Sequence, residues 1–229
     1  MKGAIHQVNF FPWLGYFNKI AKSDIFILLD DVQGNRQTYS NRVQLLVNNN
    51  AHWLTAPVQK KARETLDFVF LDNNWREKRI KKTISFNYSK TPFFSKHKDF
   101  IFDLVDFPEN SITKFNLNAI KNICSLLGYD TKKMVLSSDL KVDATSTERL
   151  VRLLMEVKCD TYIQGGGGSE SYQDDSLFSL HNIALEKQKF KHPTYPQHNN
   201  KGEFVPGLSI LDSLFNCGVT KTKALVEGS

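Results

Sequence analysis

The chain has 229 residues, 41% hydrophobic, 24% charged and 12% aromatic, enough apolar material for one large domain or two small ones. Seventeen phenylalanines make a disordered tail untenable, and no apolar run approaches the roughly 18 residues of a bilayer-spanning helix. Thirty Lys+Arg against twenty-four Asp+Glu leave +6, a bias toward anionic partners.

His6 and Gln7 fall where a secretory leader would hold its hydrophobic stretch, so a cytoplasmic protein is expected. Cys124, Cys159 and Cys217 are odd in number, far apart and form no C-x-x-C, which points to reduced thiols rather than a disulfide framework or a thiolate zinc site.

Residues 3–6 form a short apolar strand, and the Phe10-Phe11-Pro12-Trp13 turn ends it with Pro12 suited to the first turn of a helix. Leu14, Phe17, Ile20 and Ala21 then recur on one helical face. The continuous apolar run 25–29 before Asp30-Asp31 is the pattern of a strand covered on both sides, so a parallel βαβ unit is expected. Residues 42–47 and 52–58 flank Asn48-Asn49-Asn50 as a hairpin. From about 75 to 128 the pattern is helical: a basic helix from Trp75 to about Phe86, then an amphipathic one over 112–127 stopped at Gly128. Alternation returns with a strand at 134–138, a helix at 147–157 capped by Ser146 or Thr147, and a strand at 160–164. The expected fold is therefore a single α/β domain, a mostly parallel Rossmann-like sheet carrying a hairpin and a helical insertion.

Four places hold residues that can do chemistry. The loop after the first strand offers His6, Gln7, Asn9, Trp13 and Tyr16 beside a helix start, where free N–H groups favour anions; the competing reading makes the aromatics core and His6 a satisfied core histidine. Asp30 and Asp31, with Gln33, stand at the carboxyl end of the second strand, placed to bind magnesium, hold a ribose or amine, or act as a base. Strand alternation lets one of the two aspartates at most face a site, and a plain turn explains both equally well. Gly165, Gly166, Gly167 and Gly168 follow the last strand; their spacing fits neither a Walker loop nor G-x-G-x-x-G, leaving an anion nest or a bare loop. In the C-terminal block, His192 and His198 lack a third metal ligand, so no metal site is expected. Ser209, Asp212 and Asn216 form one polar stripe of a helix, ordinarily solvent-facing and functional only where that helix caps a cleft. The run Arg76 to Lys82 reads as a solvated helix face with Ile80 and Ile84 inward; without interleaved aromatics it gives no case for nucleic acid.

His6-Gln7-x-Asn9-Phe10-x-Pro12-Trp13-Leu14-Gly15-Tyr16-Phe17, followed by Asp24-x-Phe26-x-x-Leu29-Asp30-Asp31-Val32-Gln33, resembles the opening of the WbqC-like family, whose members lie in bacterial O-antigen and other surface-polysaccharide gene clusters. Asn41-Arg42, Trp53-Leu54-Thr55-x-Pro57-Val58, Tyr162-Ile163-x-Gly165 with Tyr172, His192-Pro193-x-Tyr195-x-Gln197 and Leu208 to Asn216 agree in order across nearly the whole chain. Val8 stands where that family usually has Pro, and residues 34–39 lack its usual Phe.

The resemblance implies an enzyme that forms an amide by moving an acyl or aminoacyl group onto a dTDP- or UDP-linked amino sugar, using ATP or an activated acyl donor. It makes His6, Asp30, Asp31 and His192 the candidate bases. Gln7, Asn9, Trp13, Tyr16, Gln33, Asn41, Arg42, Gly165, Gly166, Gly167, Tyr172, Tyr195, Gln197, Ser209, Asp212 and Asn216 are the candidate substrate contacts. The first βαβ unit is also similar to nucleotidyltransferase-like domains, in which loop histidines handle phosphates; here only His6 answers to that, since Gly15-Tyr16 replaces the second histidine. The rival readings are a sugar nucleotidyltransferase and a non-catalytic protein of the polysaccharide machinery that holds nucleotide sugars or anionic lipid headgroups through Lys78 to Lys82.

Overall fold

In a computed structural model, the residues described are 1–32, 38–60, 68–70, 74–165 and 173–228. The strand β1 (Lys2–Gln7) leads into α1 (Leu14–Lys22) and back along β2 (Ile25–Leu29). These two strands pair in parallel from Gly3↔Ile25 to Gln7↔Leu29, which is the βαβ unit read from the apolar spacing. The chain then leaves the sheet for β3 (Arg42–Val47), β4 (Asn50–Thr55), β5 (Val58–Lys60) and β6 (Phe68–Phe70). A π-helical stretch, Arg76–Lys81, runs into α2 (Lys82–Tyr88), followed by α3 (Phe94–Asp106) and α4 (Ile112–Leu126). It returns through β7 (Met134–Leu136), α5 (Ser137–Leu140), α6 (Ser146–Glu156), β8 (Thr161–Gln164), α7 (Asp175–Leu180) and β9 (Ala184–Lys187), and α8 (Ile210–Glu227) closes the described chain.

The main sheet has the order β7-β2-β1-β8-β9, every pair parallel. The order in which strands are added reverses between β1 and β8, the kind of switch point beyond whose carboxyl ends open α/β sheets bind ligands. One sheet face, carrying Ala4, Phe26, Leu28 and Ile163, packs on α1, α4 and α8 through residues such as Phe17, Phe115 and Phe215. The other, with Ile5, Ile27 and Tyr162, packs on α6 and α7 through Val151, Leu154 and Phe178. The alternation along each strand and the burial on both faces are what continuous apolar runs require.

Several boundaries differ from the expectation, each for a local reason. The hairpin turns on Asn48 and Asn49, both at positive φ (50° and 63°), so β4 begins at Asn50 and Val58 belongs to a separate pair with Phe70. The expected strand at 134–138 stops at Leu136, because Asp30 accepts the Ser138 N–H and turns Ser137–Leu140 into one helical turn. Thr145, not Ser146 or Thr147, precedes α6, and the Thr147 hydroxyl instead accepts the N–H of Asp174. Pro12 lies ahead of the Trp13 cap rather than in the helix, and its carbonyl accepts the Ile210 N–H. In α4, Ser111 caps the start by accepting from Lys114 N, and Gly128 (φ 77°) stops the end as expected. The last helix breaks at Gly218 (φ 73°), where a Cβ would lie 2.7 Å from the Phe93 ring.

Two differences matter for function. The spacing of α1 gives it one buried face, yet Leu14 through Ile20 are all buried, because α8 and the C-terminal loop cover the side that periodicity leaves to water. The stripe Ser209, Asp212, Asn216 is likewise at most 2% exposed rather than solvent-facing.

Candidate functional site

The switch point between β1 and β8 is framed by strand ends and by α1. His6 closes β1 and is half-buried. Its Nδ1 sits 3.1 Å from the Gln7 carbonyl, which can only accept, so Nδ1 carries the hydrogen and Nε2 keeps its lone pair. The ring meets Tyr16 edge-on at 4.6 Å, and the Tyr16 hydroxyl donates to that same Gln7 carbonyl at 3.0 Å. Burial, and then the charge of Lys19, press the His6 pKa down to about 3, so the imidazole is neutral at any physiological pH.

Lys19 was invisible to sequence reasoning. It is 3% exposed, and burial lowers its pKa to about 8. A Cβ on Gly165 would lie 2.8 Å from its Nζ, which puts the ammonium at the end of β8. No described residue accepts a hydrogen bond from it. The sequence signal was faint: a lysine set between Phe17 and Ile20 in a nine-residue helix that turns out to be covered all round.

The other expected residues fall into three groups. Gln7 is exposed beside His6, and Asn9 is buried in the turn that follows. Asp30 and Asp31 are engaged: Asp30 accepts from Ser138 N (3.0 Å) and Ser138 Oγ (2.7 Å), while Asp31 takes both its oxygens to Arg149 Nη2 at 2.7 and 2.6 Å. Asn41 Nδ2 donates to Ala56 O, and Arg42 stacks 4.1 Å above the Trp53 ring, on the hairpin. Gln33, Gly166, Gly167 and Tyr172 lie outside the described residues.

The C-terminal residues form one hydrogen-bonded cluster. Ser209 caps α8 by accepting from Leu211 N, and donates to Phe11 O at 2.8 Å. Asp212 accepts from Tyr195 OH (2.9 Å) and Gln197 Nε2 (3.1 Å). Asn216 accepts from His198 N at 2.7 Å and donates to the Asp212 carbonyl. Burial raises the Asp212 pKa to about 6 against the opposing effect of its donors. Beside this cluster His192 is stacked with Trp13 (centroids 6.5 Å, 9° apart) near Phe190 and Phe204. Its Nδ1 faces the Pro193 carbonyl, its Nε2 is buried without a partner among the described residues, and burial lowers its pKa.

All three cysteines are free, and burial pushes the thiols of Cys124 to about 12 and of Cys159 and Cys217 to about 11, too high for thiolate chemistry near neutrality. Among the described residues, no three His, Cys, Asp or Glu side chains group to hold a metal ion, and no helix is long and apolar enough to cross a membrane.

The chain is similar to known proteins along its length. Residues 7–224 match the sequence model of one family, described as the WbqC-like protein family. The uncharacterized protein Rv1507c of Mycobacterium tuberculosis is 31% identical over 221 residues, covering 95% of this chain and 94% of its own. No solved structure matches.

Proposed function

The chain belongs to the WbqC-like protein family, and from that premise we propose that its β1/β8 crevice binds a nucleotide-linked amino sugar and forms an amide on it. The observation that carries the reading is the pair His6 and Lys19: a neutral imidazole whose Nε2 has no partner among the described residues, and a buried lysine, together at the switch point of a parallel sheet. In the transfer, the sugar amine attacks the carbonyl carbon of an acyl or aminoacyl donor and the bond to the donor's leaving group breaks. The proton lost by the amine passes to His6 Nε2, whose basicity, low in the free protein, would rise once an anionic group of the ligand offsets the charge of Lys19. Asp30 and Asp31 are already committed to Ser138 and Arg149, so they hold the end of β2 rather than compete for that proton. His192, with its own free Nε2, is the second candidate base. ATP or a preformed activated donor would supply the acyl group.

Purified protein, offered dTDP- and UDP-amino sugars with a panel of acyl and amino-acid donors and ATP, should produce the corresponding mass increase on the sugar. No increase across the panel overturns the reading. A non-catalytic role at an anionic surface draws support from one feature: Phe86, 81% exposed, stands on the same helix as the exposed Lys82. Salt-sensitive binding to anionic vesicles, unchanged by His6→Ala, would favour it.

A further inference from the structure

Lys19 differs from the other lysines whose surroundings are defined. Lys133 is also half-buried, but it donates to the carbonyls of Ile20 and, at 2.8 Å, Ser23, tying the end of α1 to the loop before β7. Lys81 is paired with Asp106, and Lys2 with Glu186. Lys19 is more deeply buried than any of these, yet no described carboxylate or carbonyl receives its ammonium. A lysine whose stem is buried and whose ammonium has no partner among the described residues is costly to hold, and folds keep such a group where something else can supply the counter-charge.

Its position says where that counter-charge would enter. Helix side chains lean toward the helix N-terminus, and α1 begins where β1 ends, so the long stem of Lys19 carries Nζ toward the carboxyl ends of the strands. There it lies against Gly165, the first residue after β8. Gly165 has no positive φ to demand glycine; what demands it is space, since a Cβ would sit 2.8 Å from Nζ. Among the described residues, the titratable side chains nearby are His6 from β1, which is neutral, and, against its ring, Tyr16 from α1, whose hydroxyl is spent on Gln7.

We propose that the Lys19 ammonium is the receptor for one anionic oxygen of the ligand, a phosphate or carboxylate oxygen entering between β1 and β8, and that Gly165 is the clearance it needs. The inference deepens the transfer reading and rests on it for the identity of the ligand, but the anion site itself is tested without turnover.

The test is calorimetric titration of the full chain with inorganic pyrophosphate, with acetate, and with uncharged uridine. Wild type should bind at least one of the two anions, pyrophosphate marking a phosphate site and acetate a carboxylate site. Lys19→Met should weaken that binding at least tenfold. Gly165→Ala should weaken it as well, because the added methyl displaces Nζ while the charge stays in the chain. Both variants should keep a cooperative thermal transition, which separates lost binding from lost fold. Lysine acylation read by peptide mass spectrometry gives an independent measure: the anion should slow modification of Lys19 and leave that of exposed Lys158 unchanged. Equal anion affinity in wild type and Lys19→Met, or no anion binding by wild type, overturns the proposal. Lys19-dependent anion binding alongside a failed transfer assay would overturn the transfer reading and leave this site standing.

Discussion

Two sets of polar side chains are buried in this molecule, and they are buried in opposite ways. Along the first turns of α8 each polar residue has company: Asp212 receives Tyr195 and Gln197, Asn216 receives His198 N, and Ser209 joins the helix start to Phe11. At the end of β1 two groups on buried or half-buried side chains, Nε2 of His6 and Nζ of Lys19, have no protein partner among the described residues and are left to solvent or a ligand. Satisfied buried polarity fixes one arrangement of the chain, here the fold of the 192–207 loop over α8. Unsatisfied buried polarity opposes folding and persists where a ligand completes it. The contrast gives the stripe on α8 a structural duty and leaves the end of β1 as the place where the proposed ligand would bind.

The largest expected effect is on the crevice side. His6→Ala should cut transfer by about 10²–10⁴-fold, the range for loss of a general base, while the loss of its edge contact with Tyr16 costs about 1 kcal/mol of stability at most. Wild-type kcat/KM should show no break near 6.5 beyond the steady decline set by protonation of the amine substrate, because burial holds the free-protein imidazole neutral down to about 3. A limb centred near 6.5 would place His6 in water and dissolve the contrast.

On the α8 side, Asp212→Ala strands the Tyr195 hydroxyl and the Gln197 amide, and should cost about 2–5 kcal/mol in denaturant unfolding. Anion affinity per folded molecule should not move. The carboxylate also has a signature in pH. Its folded pKa of about 6 lies above the ordinary 3.8, so the native state binds the proton more tightly. Its contribution is therefore most favourable below about pH 4 and is lost as pH rises to about 6 and beyond, a swing of about 3 kcal/mol. Asp212→Asn removes that swing, which a comparison of thermal midpoints between pH 4 and 7 will register.

Lys19→Met should do the reverse and stabilise the protein by about 1–3 kcal/mol at pH 7, with thermal denaturation as the measure. The folded pKa of about 8 lies below the ordinary 10.5, so the unfolded chain holds the proton more tightly and the wild type pays a penalty below pH 8. That penalty fades as pH rises from about 8 to about 10.5, and the advantage of the variant should fade with it. A destabilised Lys19→Met would mean that the ammonium has a structural partner.

Much of the sheet was legible because its strands are local apolar runs: β1, β2, β7 and β8 announce themselves, and Gly128 ends α4 by its backbone conformation. The strand β9, Ala184–Lys187, carries little apolar signal because it is an edge strand, and β5 was merged into the hairpin because nothing local separates Thr55 from Val58. His6 and Gly165 were legible as residues at strand ends. The burial of Lys19 and of Asp212, which the sequence placed on a solvent-facing stripe, was not, since each is covered by segments far away in sequence: α8 against α1, and the 192–207 loop against α8. Periodicity reports which face of a helix is apolar and is silent about a second layer laid over its polar face.

Asp31 sharpens the contrast because it belongs to neither set. It is partnered, by Arg149, but the pair is partly open to water, with side-chain exposures of 35% and 16%. A partly exposed ion pair contributes little, so Asp31→Asn should cost only about 0.5–1 kcal/mol in denaturant unfolding. Arg149 Nε is already buried without a partner, and the loss of the carboxylate would leave the guanidinium held on fewer sides. Reversing the charge with Arg149→Glu should cost more than either truncation, since it sets two carboxylates together beside Ser137. If instead Asp31→Asn cost nothing and abolished transfer outright, satisfied hydrogen bonding would fail as a mark of structural duty at the end of β2. The division drawn between α8 and the crevice would then need a criterion other than the presence of partners.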